Sequence, residues 1–182
     1  GGDEKVRALC AEYGVNYWSR KGIAKFNQPA WPFQAKTKSG NYNSWFSEIG
    51  YDRYDFLVQL DTDHIPEPDY LEEVLGYFDD PEVAYVALPS VYRNLEDWTT
   101  RGSSEQSQVF QGPIQMGYYG WANSPMIIGS HAAYRMQPLR EIGGFAPSRA
   151  EDHLDSLRFV QAGYRGVFVP KVLAEGLGPH NL

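Results

Sequence analysis

The sequence predicts an α/β protein in which a mainly parallel sheet is flanked by helices. Three observations carry that reading. Short apolar runs at residues 56–60, 83–88 and 164–169 have the length and flanks of buried strands. The segments between them carry helical spacing and end in glycine stop signals at Gly14, Gly50 and Gly163. Strands that alternate with helices build parallel sheets, because each crossover returns the chain to the same end of the sheet.

Taken in order, residues 4–13 read as a helix with Val6, Leu9 and Cys10 on one face. Residues 15–19 read as a short strand, and 21–33 as a loop punctuated by Gly22, Pro29 and Pro32. Ser39 or Asn41 caps a helix that runs to Ile49 and stops at Gly50. Residues 56–60 form the central strand. Residues 68–78 form a helix with Pro68 at its start and Leu71, Val74 and Leu75 inward. Asp79-Asp80-Pro81 turns the chain into the strand at 83–88. Residues 103–116 are helical as far as Pro113. Residues 126–128 and 132–135 are short strands framing Gly129-Ser130. A helix opens at Glu151, with Leu154, Leu157, Val160 and Ala162 as its apolar face. The strand at 164–169 is closed by Pro170, and His180 belongs to a frayed terminus.

At 182 residues the chain has the length of one domain and enough residues for a core. A formal net charge of -7 argues against nucleic acid as a partner, since phosphate backbones select basic surfaces. No run of 18 apolar residues spans a bilayer. Cys10 is the only cysteine, so an internal disulfide and a thiolate metal cluster are both excluded. Aromatic residues reach 15%, including 13 Tyr and 5 Trp; such rings pack on sugar faces, although most will be core or interface.

The segment Leu60-Asp61-Thr62-Asp63-His64-Ile65-Pro66 carries the chemistry. Residues i and i+2 of a strand share a face, so Asp61 and Asp63 can converge where the pleat ends. Ligands bind outside that end of an open α/β sheet. Two hard oxygen donors there suit a divalent cation that holds a diphosphate. A turn-capping Asp61 and a solvated Asp63 account for the pair equally well. A second acidic pair, Glu151-Asp152, opens the helix after Gly143-Gly144-Phe145. Compensation of the helix dipole, worth roughly 0.3–1 kcal/mol, is the plainer account of that pair taken alone. His64 reads as a loop residue, because a zinc site needs a second His or Cys at ligand spacing; His131 and His153 have no partner pattern either.

As an ordered set, these pieces resemble the inverting family 2 glycosyltransferases, and most closely the cellulose synthase-like branch. The set comprises Asp61-Thr62-Asp63-His64-Ile65-Pro66, Gly129-Ser130, Ile142-Gly143-Gly144-Phe145 and Ala150-Glu151-Asp152. Lys38-Ser39-Gly40-Asn41-Tyr42-Asn43 resembles that branch's Lys-Ala-Gly-Asn-Leu-Asn segment, and Tyr17-Trp18-Ser19-Arg20 the strand and arginine before it. The resemblance implies a partial GT-A (Rossmann-like) fold over residues 1–182, a single partial catalytic domain lacking its first strands and a later Gln-x-x-Arg-Trp motif. The loop Pro125-Met126-Ile127-Ile128 departs from the family by lacking its aromatic pair and cysteine.

The same resemblance implies roles. Asp61 and Asp63 would hold Mg²⁺ or Mn²⁺ and, with Lys38, a nucleotide-sugar donor, expected to be a UDP-sugar. Asp152, beside Glu151, would accept the proton of a glycan acceptor's hydroxyl as the sugar inverts. The fragment alone is expected to be inactive. The full-length protein would be embedded in a membrane, with this segment as its soluble part on the cytoplasmic face. A carbohydrate-binding or regulatory module that keeps the fold without catalysis is the rival. A two-metal phosphatase or nuclease would need more carboxylates or histidines than one Asp-x-Asp supplies.

Overall fold

The structure, a computed structural model, describes residues 3–148 and 150–179, so His180 lies outside the described residues. Helix α1 (Glu4–Glu12) is capped by Asp3, whose carboxylate accepts from the Lys5 amide. It buries no residue, so Val6 and Leu9 are exposed. Residues 15–19 make no strand pairing, contrary to expectation. Helix α2 (Lys38–Trp45) is capped by Thr37, two residues before Ser39, the Thr37 hydroxyl accepting from the Gly40 amide. Gly50 does not stop it: a π-turn (Phe46–Gly50) leads directly into α3 (Tyr51–Arg53).

Strand β1 (Phe56–Leu60) has the predicted bounds, followed by β2 (Ile65–Pro66) and α4 (Tyr70–Leu75). A 3₁₀ turn carries α4 on to Asp79, and the inward residues are Tyr70, Val74 and Phe78. Leu71 and Leu75, expected inside, are exposed, because Tyr70, Val74 and Phe78, spaced i, i+4 and i+8, take the inward positions. Strand β3 (Val83–Ala87) is buried throughout and precedes β4 (Val91–Tyr92). Helix α5 (Trp98–Val109) does not end at Pro113. A π-turn (Phe110–Ile114) takes up the proline and α6 (Gln115–Ala122) continues beyond it. Residues 126–128 form no strand, so of the two strands expected to frame Gly129-Ser130 only β5 (His131–Arg135) is present. Helices α7 (Met136–Glu141) and α8 (Glu151–Gln161) follow, then β6 (Arg165–Phe168) and β7 (Ala174–Gly176).

The α/β class holds, with a correction to the strand directions. Among the described residues one sheet has the order β1-β5-β3-β6; β5 runs antiparallel to both β1 and β3, and only β3 and β6 are parallel. The sheet is therefore mixed, and β1 lies at its described edge rather than its centre. A small second sheet, β2-β7-β4, adds one antiparallel and one parallel pair. Alternate residues of β3 and β5 feed two cores. Tyr85, Ala87, Ala132 and Tyr134 pack with Phe46, Phe145 and Phe159, whereas Val86 and Ala133 pack with Tyr70, Val74 and Leu173. Burial on both faces explains why β3 reads as a continuous apolar run.

The face of α8 is the opposite of the expected one. Leu154, Leu157 and Val160 are exposed, while Asp155, Ser156 and Phe159 are buried. The buried polar groups have partners: the Ser156 hydroxyl accepts from the Ile127 amide, and Asp155 accepts from Arg158 and the Ala146 amide. Before α8, Gly143 and Gly144 adopt φ of 79° and 82°. A Cβ on Gly144 would stand 2.4 Å from Asn43 Oδ1, so glycine alone fits there.

Candidate active site

The antiparallel pairing of β1 and β5 builds the site. It sets Leu60 opposite His131, so the Asp61 amide donates to the carbonyl of Ser130 at 2.7 Å. The Gly129-Ser130 turn is thereby held beside the carboxylate motif at the end of β1. Lys38, in the first turn of α2, spans the two: its Nζ donates to Asp61 Oδ1 at 2.6 Å and to the Gly129 carbonyl at 3.1 Å. Gln59 Nε2 donates to the same carbonyl at 2.8 Å, and Tyr134 Oη donates to Gln59 Oε1 at 3.1 Å. On the other side of that peptide chain the Gly129 amide donates to Asp152 Oδ2 at 3.0 Å. One glycine thus connects the residues expected on the donor side, Lys38 and Asp61, with the residue expected as base.

Two cavities adjoin here. One of about 400 Å³ is lined by Lys38, Asn41, Tyr42, Leu60, Asp61, Thr62 and Asp63. The other is narrow, with Glu151 and Asp152 at its wall beside Gln59, Gly129 and Tyr134. Lys38 and Tyr42 line both, so the two acidic pairs are separated by one ammonium and one phenol. Burial, then the charges of Asp61 and Glu151, push the Tyr42 hydroxyl up to about 12, so it stays protonated and can donate.

Asp61 and Asp63 do not share a partner. Asp63 Oδ2 accepts from the Leu177 amide at 3.0 Å, and Oδ1 lies 3.4 Å from His64 Nδ1. The Leu177 amide in particular holds the Asp63 carboxyl below the usual carboxylate range. The pair still suits a hard cation. Both side chains are about one-third exposed, both line the larger cavity, and an ammonium already sits on Asp61. At that exposure the Lys38–Asp61 ion pair is worth only roughly 0–1 kcal/mol, so an incoming diphosphate and cation can exchange with it. Among the described residues no three His, Cys, Asp or Glu side chains group to hold a metal, so water and substrate oxygens would supply the remaining positions.

His64 lies in the loop between β1 and β2, as expected, but its side chain is turned inward and only 4% exposed. Its Nε2 lies 3.2 Å from Ser90 Oγ and its ring 5.4 Å from that of His131, against Gly176, where a Cβ would be 2.4 Å away. Burial, then His64, push His131 down to about 4, so it is neutral at pH 7.

Sequence reasoning missed Tyr42, Gln59 and Asp155. Gln59 was detectable as the one polar residue in the run Phe56-Leu57-Val58-Gln59-Leu60. Asp155 is nearly inaccessible at 1% exposure, and burial pushes its carboxyl up to about 6 against the opposing pull of Arg158. Arg20 is structural: its guanidinium donates to the carbonyls of Phe26, Phe33, Gln34 and Thr37 and so shapes the loop that leads into α2.

The chain is 30% identical, over its whole length, to the UDP-forming cellulose synthase catalytic subunit of Xanthomonas axonopodis pv. citri, of which it covers 24%. It is 32% identical over 80% of its length to a UDP-forming cellulose synthase of Dictyostelium discoideum, covering 14% of that protein. The chain therefore spans a quarter or less of these relatives. The fold is shared with a solved structure of the mannosyltransferase PcManGT of Pyrobaculum calidifontis in complex with GDP-Man and Mn2+. The TM-score is 0.55 at 20% identity, over 80% of this chain and 38% of that one. The model of glycosyl transferase family group 2 matches residues 56–181, a stretch that begins with β1 and takes in Asp61, Asp63, Gly129, Glu151 and Asp152. The chain belongs to glycosyl transferase family group 2.

Proposed function

We propose that this chain is the core of the catalytic domain of a glycosyltransferase that moves a sugar from a nucleotide-sugar donor to a glycan hydroxyl with inversion. The observation that carries the reading is the shared wall of Lys38 and Tyr42 between the Asp61/Asp63 cavity and the Glu151/Asp152 cavity. Donor and acceptor chemistry need opposite faces of one anomeric carbon, and this wall separates two carboxylate sites without isolating them.

Asp61 and Asp63 would hold Mg²⁺ or Mn²⁺, which when bound neutralises charge on the departing diphosphate. Lys38 moves from Asp61 to the diphosphate oxygens and carries a compensating positive charge. Asp152, fixed by the Gly129 amide, accepts the proton of the acceptor hydroxyl while that oxygen bonds to the anomeric carbon and the bond to the diphosphate breaks. Glu151, one residue earlier on α8, borders the same cavity. A UDP-sugar donor and a polysaccharide product are supported by the similarity to UDP-forming cellulose synthases. A membrane setting for the intact protein rests on the family resemblance alone; among the described residues no helix is long and apolar enough to cross a bilayer. Assay of the intact protein with UDP-sugars tests the reading. Metal-dependent release of UDP that Asp152→Asn abolishes supports catalysis, whereas glycan binding without turnover supports the carbohydrate-binding alternative.

A further inference from the structure

We propose that the cavity bounded by Ser19-Arg20-Lys21, Asn27 and the start of α2 is a metal-independent binding site for a phosphate group. It measures about 350 Å³ and is lined by Ser19, Arg20, Lys21, Asn27, Lys36, Thr37 and Asn41. Three of those residues are cations and none is an acid. The chain carries 23 acidic against 16 basic side chains, so an acid-free basic cavity runs against its overall balance.

The cations there are also unpaired. Lys25, Lys38, Lys171, Arg158 and Arg165 have carboxylate partners, whereas Lys5, Arg53, Arg93, Arg101 and Arg135, scattered elsewhere, are in no ion pair among the described residues; what sets this cavity apart is that three such cations line one space. Among the described residues no ion pair includes Arg20, Lys21 or Lys36. Arg20 is only 7% exposed and is held by four carbonyls, dipoles that orient the guanidinium and leave its full charge uncancelled. A buried charge without a counter-charge is costly, and an anion in the cavity supplies one. Lys36 adds a second sign of a built site. Its backbone sits at φ 62°, a left-handed conformation that residues with a side chain rarely adopt, in the turn that leads to Thr37 and Asn41. Hydroxyls and amides from Ser19, Thr37, Asn27 and Asn41 supply neutral partners, and an oxyanion with several oxygens uses both kinds.

Phosphate is favoured over a carboxylate because the cations approach from both the 19–21 loop and the turn at Lys36, matching an anion with oxygens on several sides. The site needs no cation, unlike the Asp61/Asp63 cavity, and Asn41 lines both, so the two adjoin. It does not depend on the sugar-transfer reading. The phosphate could be free pyrophosphate or the ester of a nucleotide.

Titration calorimetry on the protein in EDTA at low salt, with pyrophosphate and separately with a nucleoside monophosphate, tests this. Binding of at least one is expected, weakening with added salt. Lys21→Glu and Lys36→Glu should each weaken it at least about tenfold, because a cation near the anion becomes a repelling charge. Lys171→Gln, away from the cavity, should leave it unchanged, and circular dichroism should find all variants folded. Stronger binding of pyrophosphate assigns the free anion, and stronger binding of the monophosphate assigns the nucleotide. No binding in EDTA, binding that requires Mn²⁺, or binding indifferent to both charge reversals would overturn the proposal.

Discussion

The Gly129 amide donates to Asp152 Oδ2 at 3.0 Å, while the Gly129 carbonyl accepts from Lys38. A single residue in the turn before β5 therefore fixes the distance between the proposed base and the proposed donor site. A Cβ on Gly129 would lie 3.2 Å from the same carboxylate oxygen. Gly129→Ala should leave the fold intact and move Asp152 by a few tenths of an ångström. Turnover should fall about tenfold or more, since small misplacements of reacting groups are costly. Measurement of kcat against the thermal midpoint checks this; a loss of stability with unchanged kcat would make Gly129 only a packing residue.

Asp63 lies at the mouth of the larger cavity, held by the Leu177 amide. Asp63→Ala should abolish donor turnover without unfolding the protein, and EDTA should do the same to the wild type, with recovery on adding Mg²⁺ or Mn²⁺. Full activity in EDTA would exclude the metal from the mechanism.

Helix α8 packs Phe159 into the core and leaves Leu157 in solvent. Phe159→Ala should cost about 3–5 kcal/mol, the usual range for an aromatic deletion in a core. Leu157→Ala should change stability by no more than about 0.5 kcal/mol. Chemical denaturation of both variants measures the contrast, and equal losses would mean that the helix packs by its apolar stripe.

Asp155 gives a pH dependence of definite sign. Its folded-state carboxyl is pushed up to about 6 by burial, above the ordinary value of 3.8. A raised value means that the folded state holds the proton more tightly than the unfolded one. The stability contribution is therefore full below about pH 4 and is lost as pH rises through about 6, amounting to on the order of 2–3 kcal/mol. The stability of the wild type minus that of Asp155→Asn should fall across that window. A flat difference would show that the Arg158 pair, at 2.7 Å, cancels the cost of burial.

The contrast between α8 and β1 shows what the sequence carries. The limits of β1 and the start of α8 were legible, because an apolar run bounded by Asp61 and an acidic first turn are local signals. The inward face of α8 was not. Leu154, Leu157 and Val160 outrank Asp155 and Ser156 in hydrophobicity, and the groups that satisfy the polar pair, Ala146 and Ile127, are fixed only in the fold. Strand direction failed for a similar reason: helical spacing between runs implies a crossover, yet the His131–Arg135 strand follows an irregular stretch and pairs antiparallel on both sides. At the site, Asp61, Asp63, Glu151, Asp152 and Lys38 were legible as motifs. Tyr42 was invisible within α2 until the helix set it between Asp61 and Glu151.

In the proposed function the two acidic pairs, on either side of Lys38 and Tyr42, serve one reaction. Single-turnover sugar transfer by the intact protein, with nucleotide affinity measured in parallel on Asp152→Asn, tests it most directly. The variant should lose at least about 10²-fold in the rate of transfer, the scale of a general base, with affinity for the nucleotide nearly unchanged. Transfer at the wild-type rate would leave Asp152 as no more than the residue that compensates the dipole of α8 and would exclude it as the base.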